Sequence, residues 1–147
     1  MSKFMQALLT GMFYTFILDF FIFLGVKLHY IDFYNVDLYY NILFVDNQNI
    51  YIYIFVSLII GFINTYIANI KITLIFIGSL FFISFSTLIP TVGHTVGGMM
   101  FMKKNITYND AKYSYTGDQY YSGRDEITIY DYELKKTITL SKKDLKE

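Results

Sequence analysis

Between Asp46 and Lys103 lie 56 consecutive residues, of which only Lys71 carries a formal charge. An α-helix needs about 20 mostly apolar residues to cross the ~30 Å hydrocarbon core of a bilayer. This run is long enough for two such helices, and residues 4–26 form a third apolar run that contains a single acid, Asp19. The sequence therefore predicts an all-α membrane protein, a three-span helical bundle with a small C-terminal soluble tail containing a β-hairpin.

The predicted transmembrane domain covers residues 1–102. Its expected spans are residues 4–26, 50–69 and 72–90. One helix over residues 50–90 would be about 60 Å long, which is twice the hydrocarbon thickness. A turn at Asn69-Ile70-Lys71 is therefore favoured, and Pro90 is expected to end or kink the third span. The uncharged residues that follow, 91–102, are rich in glycine and methionine and are predicted to lie at the membrane interface.

The soluble tail is predicted to cover residues 103–147. Two β-rich stretches within it, residues 126–132 and 137–140, are separated by a short polar segment, which is typical of a β-hairpin. Because two strands alone are marginally stable in water, the hairpin is expected to pack on the membrane domain, on a partner or on another copy.

Composition excludes several functional classes. The chain has no cysteine, so disulfides and thiolate chemistry are ruled out. Its net charge of zero gives no indication of nucleic-acid binding, and no pattern typical of an active site is found, so we predict no enzymatic activity. The distribution of lysine favours a cytoplasmic tail. We expect a multi-pass membrane protein of the bacterial inner membrane. The lysines on the predicted cytoplasmic side are Lys27, Lys103, Lys104 and Lys112, and those on the other side are Lys3 and Lys71.

Two polar residues fall inside the predicted spans. A carboxylate at the centre of a span costs roughly 2.5–3.5 kcal/mol on insertion scales, so Asp19 should face other helices and have a partner, for example Asn64 or Ser57. Asp19 is a candidate proton or cation site, or a counter-charge for another subunit. It is equally interpreted as a hydrogen-bonded contact between helices, which is also the expected role of Asn64.

The two histidines of the chain, His29 and His94, follow the first and the third predicted span. In a three-span bundle they lie on the same side of the membrane. Two imidazoles from different helices are able to ligate haem b or a metal ion. The alternative is two interfacial histidines without a ligand, and no other residue in the sequence indicates a cofactor.

The most distinctive segment is GHTVGG at residues 93–98. Gly93 and Gly97 have the spacing that allows another helix to approach closely. Alternatively, Gly93, Gly97 and Gly98 permit a turn at the membrane surface that leads the chain into the tail. The segment lacks the Gly-Lys-Ser/Thr ending of a phosphate-binding loop.

Two segments carry a partial resemblance to a known family. The sequence FILDF at residues 16–20 and GHTVGGMM at residues 93–100 resemble the intramembrane Asp and the glycine-rich span end of the RDD family of small bacterial membrane proteins. The chain departs from that pattern in having Met12 where the family has Arg, and Val96 and Gly98 where it usually has Pro and Lys. The resemblance implies a membrane protein, with transport suggested for some members.

These features predict a non-catalytic accessory or structural subunit of a larger membrane assembly. Its expected partners are membrane lipids and other membrane subunits or further copies of itself, and nucleic acid is not among them. The alternative is a small homo-oligomeric transporter or ion-conducting protein in which Asp19 lines the pathway.

Overall fold

The computed structural model describes residues 2–67, 69–110 and 112–146, without the side chain of residue 146. The predicted ranges therefore include four residues, at positions 1, 68, 111 and 147, that lie outside the described part. Within the described residues, five α-helices are followed by five strands. The helices are α1 (Lys3–Val26), α2 (Tyr40–Asn47), α3 (Ile50–Tyr66), α4 (Ile70–Ser86) and α5 (Pro90–Phe101). The strands are β1 (Lys103–Asp110), β2 (Ser114–Ser122), β3 (Glu126–Asp131), β4 (Lys136–Ser141) and β5 (Leu145–Lys146).

The predicted fold class is wrong. The chain is not a three-span all-α bundle, because a four-stranded antiparallel sheet, extended by the two-residue strand β5, forms a second structural layer. A single helix in the described part is long and apolar enough by itself to cross a membrane. This is α1 with its π-helical continuation, 29 residues over Lys3–Ile31. Helix α3 passes that test only when joined to α2, from which it is bent by 83°. Helix α4 passes it only when joined to α5, from which it is bent by 88°.

Helix α1 lies between α3 and α4 and packs most closely on α3. A Cβ atom added to Gly11 would lie 1.8 Å from the carbonyl oxygen of Ser57, and one added to Gly61 would lie 2.0 Å from that of Ala7. Because residue numbers rise along α1 as they fall along α3, the two helices are antiparallel. Small residues spaced four apart on both helices thus let their backbones touch.

Helix α4 runs parallel to α1 and is attached by hydroxyl groups. Ser84 donates a hydrogen bond to the carbonyl oxygen of Leu18 (2.6 Å), and Thr87 donates to that of Phe21 (3.0 Å). Tyr14 and Phe81 meet edge to face one to two turns earlier. Buried hydroxyls that bond to a neighbouring backbone are a common way to join helices in an apolar environment.

Asparagine side chains fix the starts of α3 and α4. The Oδ1 atom of Asn49 accepts hydrogen bonds from the first backbone amides of α3, and Asn69 does the same for α4. Pro90 is the first residue of α5, a position that suits its missing amide hydrogen. Of the two expectations for Pro90, that it ends or kinks a span, the structure shows a bend of 88° between α4, which ends at Ser86, and α5, which Pro90 begins. Residues 91–101 continue α5.

The strand order of the sheet is β4-β3-β2-β1-β5, and all neighbours are antiparallel. In a flat sheet, β4 and β5 would lie about 19 Å apart, at four strand spacings. Only residues 142–144 connect them, and a chain of this length spans about 14 Å at most. The sheet must therefore curl, and Ile129 on its strand β3 is fully buried.

The two stretches predicted to form a hairpin are β3 and β4. Ile127 pairs with Leu140 and Ile129 pairs with Ile138. They are part of a larger sheet, because the polar residues 105–122, for which no strands were predicted, form most of β1 and β2. The packing partner that a lone hairpin would need is supplied within the chain.

Candidate functional site at the helix–sheet junction

The helices and the sheet meet at a cluster of aromatic side chains, which we call the helix–sheet junction. Its centre is Tyr30, which lies in the π-helical continuation of α1 and is fully buried. The Tyr30 hydroxyl donates a hydrogen bond to the carbonyl oxygen of Tyr120 on β2 (2.9 Å). Tyr34 stacks on the ring of Tyr120 with 3.8 Å between centroids. Two aromatic residues of one turn therefore hold the sheet on the helical layer.

The glycine segment of α5 lies against this turn. A Cβ atom on Gly97 would lie 2.4 Å from the Cβ atom of Tyr30, whereas one on Gly98 would lie 3.8 Å from the Tyr30 ring. A Cβ atom on Gly93 would lie 2.4 Å from the carbonyl oxygen of Thr87 and 2.8 Å from that of Gly25. Gly93 and Gly97 thus let α5 pack closely on its neighbours, which is the first of the two roles expected of these glycines. Gly98 has room for a side chain.

Both histidines line one open cleft, which we call the histidine cleft. It has a volume of about 490 Å³ and is lined by Leu28, His29, Asp32, Phe33, Pro90 and His94. His29 donates from Nε2 to the carbonyl oxygen of Leu88 (2.8 Å), in the break between α4 and α5. His94 is surrounded by aromatic rings, and its buried Nε2 has no hydrogen-bond partner among the described residues.

The contacts of these histidines bear on the haem or metal hypothesis. His29 uses Nε2 to donate to a backbone carbonyl, which leaves Nδ1 as its nitrogen that could ligate a metal. Within residues 2–67, 69–110 and 112–146, no group of three or more His, Asp or Glu side chains is placed to hold a metal ion. The cleft thus brings the two histidines together in the bent region between helices, where His29 bonds the half-buried carbonyl group of Leu88.

A second opening, which we call the acidic cleft, lies between α2 and the sheet. It has a volume of about 390 Å³, and its floor includes Val36, Leu38 and Tyr121. Arg124 forms an ion pair there with Asp46, whose side chain is only 11% exposed. Three further carboxylates line the cleft and form no ion pair within the described part of the chain. They belong to Asp37, Asp125 and Glu126.

Asp19 lies on α1 beside the start of α3, and Asn64 lies near the end of α3. The Asp19 carboxylate accepts a hydrogen bond from Nε2 of Gln48 (2.7 Å), immediately before α3 begins. Asn64 lies in the last turn of the same helix and is half-buried. The hydrogen-bond partner of Asp19 in the structure is Gln48, whereas Asn64 and Ser57 were the examples expected from the sequence. Asp19 lies within α1 at the level where α3 begins.

Sequence reasoning did not identify the tyrosines of the junction. Tyr30 and Tyr120 are 90 positions apart, so no local spacing relates them. The ion pair of the acidic cleft was not identified for the same reason, since Asp46 and Arg124 are 78 positions apart. A signal for the close packing of α1 on α3 was present, however, in the spacing of Ala7 and Gly11.

No family model, no curated protein sequence and no solved structure matches this chain. The resemblance to the RDD family stays a prediction.

The stacked tyrosines predict a dependence of stability on alkaline pH. Burial raises the pKa of Tyr34, with a contribution from Asp118, and burial followed by the charge of Tyr34 raises that of Tyr120. Because the folded pKa lies above the unfolded value of about 10, their stabilising contribution is complete below that pH and is lost as pH rises through the folded pKa. Spectrophotometric titration of the folded protein should show phenols that ionise late.

Replacement of Tyr120 by phenylalanine should remove one of these late phenols. Replacement of the exposed Tyr113 by phenylalanine is the control and should leave them all in place. If Tyr120→Phe removes only a phenol of ordinary pKa, the burial of this ring in the junction is contradicted.

Proposed function

We propose that the chain is a multi-pass membrane protein and a non-catalytic accessory or structural subunit of a larger membrane assembly. One helix, α1 with its continuation, is a plausible span by length and composition. The hairpin of α3 and α4 enters the membrane beside it in this proposal. Support comes from large apolar side chains on the outer faces of these helices, which the chain itself leaves exposed. They include Phe55, Phe62, Ile75 and Phe82.

The observation that carries the accessory role is the helix–sheet junction. Tyr30 and Tyr34 fix the sheet to the helical layer through buried rings and a hydrogen bond to Tyr120. A sheet that is held in a fixed orientation on the helices offers other proteins the same binding surface at the membrane boundary. The close backbone contact of α1 with α3 also leaves no room for a passage between these two helices.

We place the chain in a bacterial inner membrane with the sheet on the cytoplasmic side. The N-terminus of α1 lies at the end of the helical layer away from the sheet, together with Lys3 and Lys71. Lys27, Lys103 and Lys104 lie on the side of the sheet. This distribution agrees with the excess of basic residues on cytoplasmic segments.

Extraction in a mild detergent tests the proposal. We expect the full-length chain to fractionate with membranes and to purify as a stable complex with at least one other membrane protein, in a constant ratio. The complex should dissociate when the sheet is detached from the helices by Tyr30→Ala, and should persist in Tyr30→Phe. A chain that purifies only as copies of itself would contradict the accessory role.

The alternative is a homo-oligomeric transporter in which Asp19 acts. Its position favours this less, since the carboxylate is bonded to Gln48 at the end of the helical layer. Ion flux through proteoliposomes of the pure protein, abolished by Asp19→Asn, would support transport. Asparagine keeps an oxygen that accepts from Gln48, so a loss of flux would not reflect a loss of structure.

A further inference from the structure

The helical layer has a well-defined end on the side of the sheet, which we call the near end. Gln48, directly before α3, donates a hydrogen bond to Asp19 on α1. Thr87, directly after α4, donates to the carbonyl oxygen of Phe21, about half a turn further along α1. Helices α3 and α4 therefore stop at the same level of α1.

On the opposite side, which we call the far end, the helices also end at a common level. Gly61 contacts Ala7, and one more turn along each helix reaches Tyr66, where α3 ends, and Lys3, where α1 begins. Helix α4 starts beside them at Ile70. Both α3 and α4 contain 17 residues, so the two ends are about 25 Å apart.

Polar residues mark both ends, and the section between them has no formal charge. The uncharged segments are residues 4–18 of α1, all of α3 and residues 72–86 of α4. The near end carries Asp19, Gln48 and Asn49, and the far end carries Lys3, Asn69 and Lys71. A layer bounded in this way matches a bilayer interior between two headgroup regions.

At the near end the chain turns through almost a right angle twice. Helix α2 is bent by 83° from α3, and α5 is bent by 88° from α4. Each exposes apolar side chains next to polar ones, including Val45 beside Asn41 on α2, and Met99 beside Thr95 on α5. Short helices with this mixture of exposed groups suit the boundary between headgroups and acyl chains.

We propose that a phospholipid bilayer covers the protein only between these two ends, with a hydrocarbon core thinned to about 25 Å, and that α2 and α5 lie in the headgroup plane. The continuation of α1, Lys27–Ile31, then holds the sheet outside the membrane. An ordinary core of about 30 Å would instead extend by a total of about 5 Å beyond these ends and bring hydrocarbon against the polar groups of α2 and α5. This inference rests on the membrane location in the proposed function and adds the depth of each element.

Since the chain contains no Trp, single tryptophans report depth without interference. Four positions of similar exposure, between 63% and 76%, are suited to this replacement. Phe13 on α1 and Phe55 on α3 lie within about 5 Å of the midpoint between the two ends, whereas Val45 and Met99 lie on α2 and α5. Each single-Trp variant of the full chain is reconstituted into phosphatidylcholine vesicles that contain lipids brominated at known depths.

We expect Phe13→Trp and Phe55→Trp to be quenched most strongly by bromines near the bilayer centre. Val45→Trp and Met99→Trp should be quenched most strongly by bromines close to the headgroups. Equal quenching of all four from the centre would overturn the placement of α2 and α5, and so would tryptophans on α2 and α5 that no brominated lipid quenches.

Bilayer thickness provides a second measurement on the unmodified chain. Its thermal stability should be highest in vesicles of short acyl chains, with a hydrocarbon core near 25 Å, and should fall in thicker bilayers. A maximum at or above the ordinary thickness would overturn the thinning. If the wild-type chain does not float with vesicles at all, the membrane location itself fails and this inference fails with it.

Discussion

Replacement of Gly11 by alanine is expected to destabilise the protein strongly, although it adds only one methyl group. The new Cβ atom would lie 1.8 Å from the carbonyl oxygen of Ser57 and 2.9 Å from the amide nitrogen of Gly61. Both are backbone atoms of α3, so the clash is relieved only if the two helices move apart. Overpacking of this kind costs about 1–3 kcal/mol, and more where the neighbours cannot yield.

Gly78 offers a matched control on a neighbouring helix. No atom lies within 4 Å of a Cβ atom added there, and alanine forms helices more readily than glycine. Gly78→Ala should therefore leave the protein unchanged or stabilise it by up to about 1 kcal/mol. Thermal unfolding of both variants in the same detergent measures the difference. Equal unfolding temperatures for the two variants would contradict the contact between α1 and α3.

A second variant separates this contact from a general intolerance of α1. Gly61→Ala places its methyl group 2.0 Å from the carbonyl oxygen of Ala7, on the other side of the same contact. It should cost a similar amount. Since the two glycines share one contact, the double variant should be less destabilised than the sum of the two single effects.

The helices were partly predictable because their signals are local. The apolar runs and the asparagine between them locate α3 and α4 to within a few residues, and Asn69 acts as the cap that the predicted turn requires. The bends were not predictable from hydropathy, which is the same on both sides of them. The sequence predicts that Pro90 ends or kinks a span, but it does not show that this residue takes the first position of the next helix, to which proline is equally suited.

Strands β1 and β2 were missed for a different reason. Along β2, burial alternates at Gly117, Gln119 and Tyr121, as expected for a strand with one buried face. Only the last of these is a large apolar residue, so hydropathy shows no alternation. The Gln119 side chain is accommodated because it bonds the carbonyl oxygen of Phe101 and the hydroxyl of Tyr108. These hydrogen bonds, which make the burial of a polar side chain possible, depend on tertiary structure, and a single sequence contains no sign of them.

Replacement of Tyr30 by alanine should release the sheet from the helices. The side chain is fully buried between Tyr34, Phe101 and Gly97, and truncation of a buried aromatic residue costs about 3–5 kcal/mol. Tyr30→Phe keeps the packing and loses only the hydrogen bond to Tyr120, at about 1 kcal/mol. The large difference in the free energy of unfolding between the two variants separates the cost of the cavity from the cost of the lost hydrogen bond.

Limited trypsin digestion reports whether this loss is local to the junction. Lys103 and Lys104 are exposed at the point where α5 passes into β1. Cleavage there requires the backbone to leave the sheet, so its rate follows the population of the detached form. We expect Tyr30→Ala to be cut much faster than Tyr30→Phe, and the exposed Tyr113→Ala to be cut like the wild type. If Tyr30→Ala and Tyr113→Ala are cut at the same rate, the aromatic junction is not what attaches the sheet. Detachment without loss of the contact between Gly11 and Ser57 would show that the helical layer is stable by itself, as its backbone-to-backbone packing predicts.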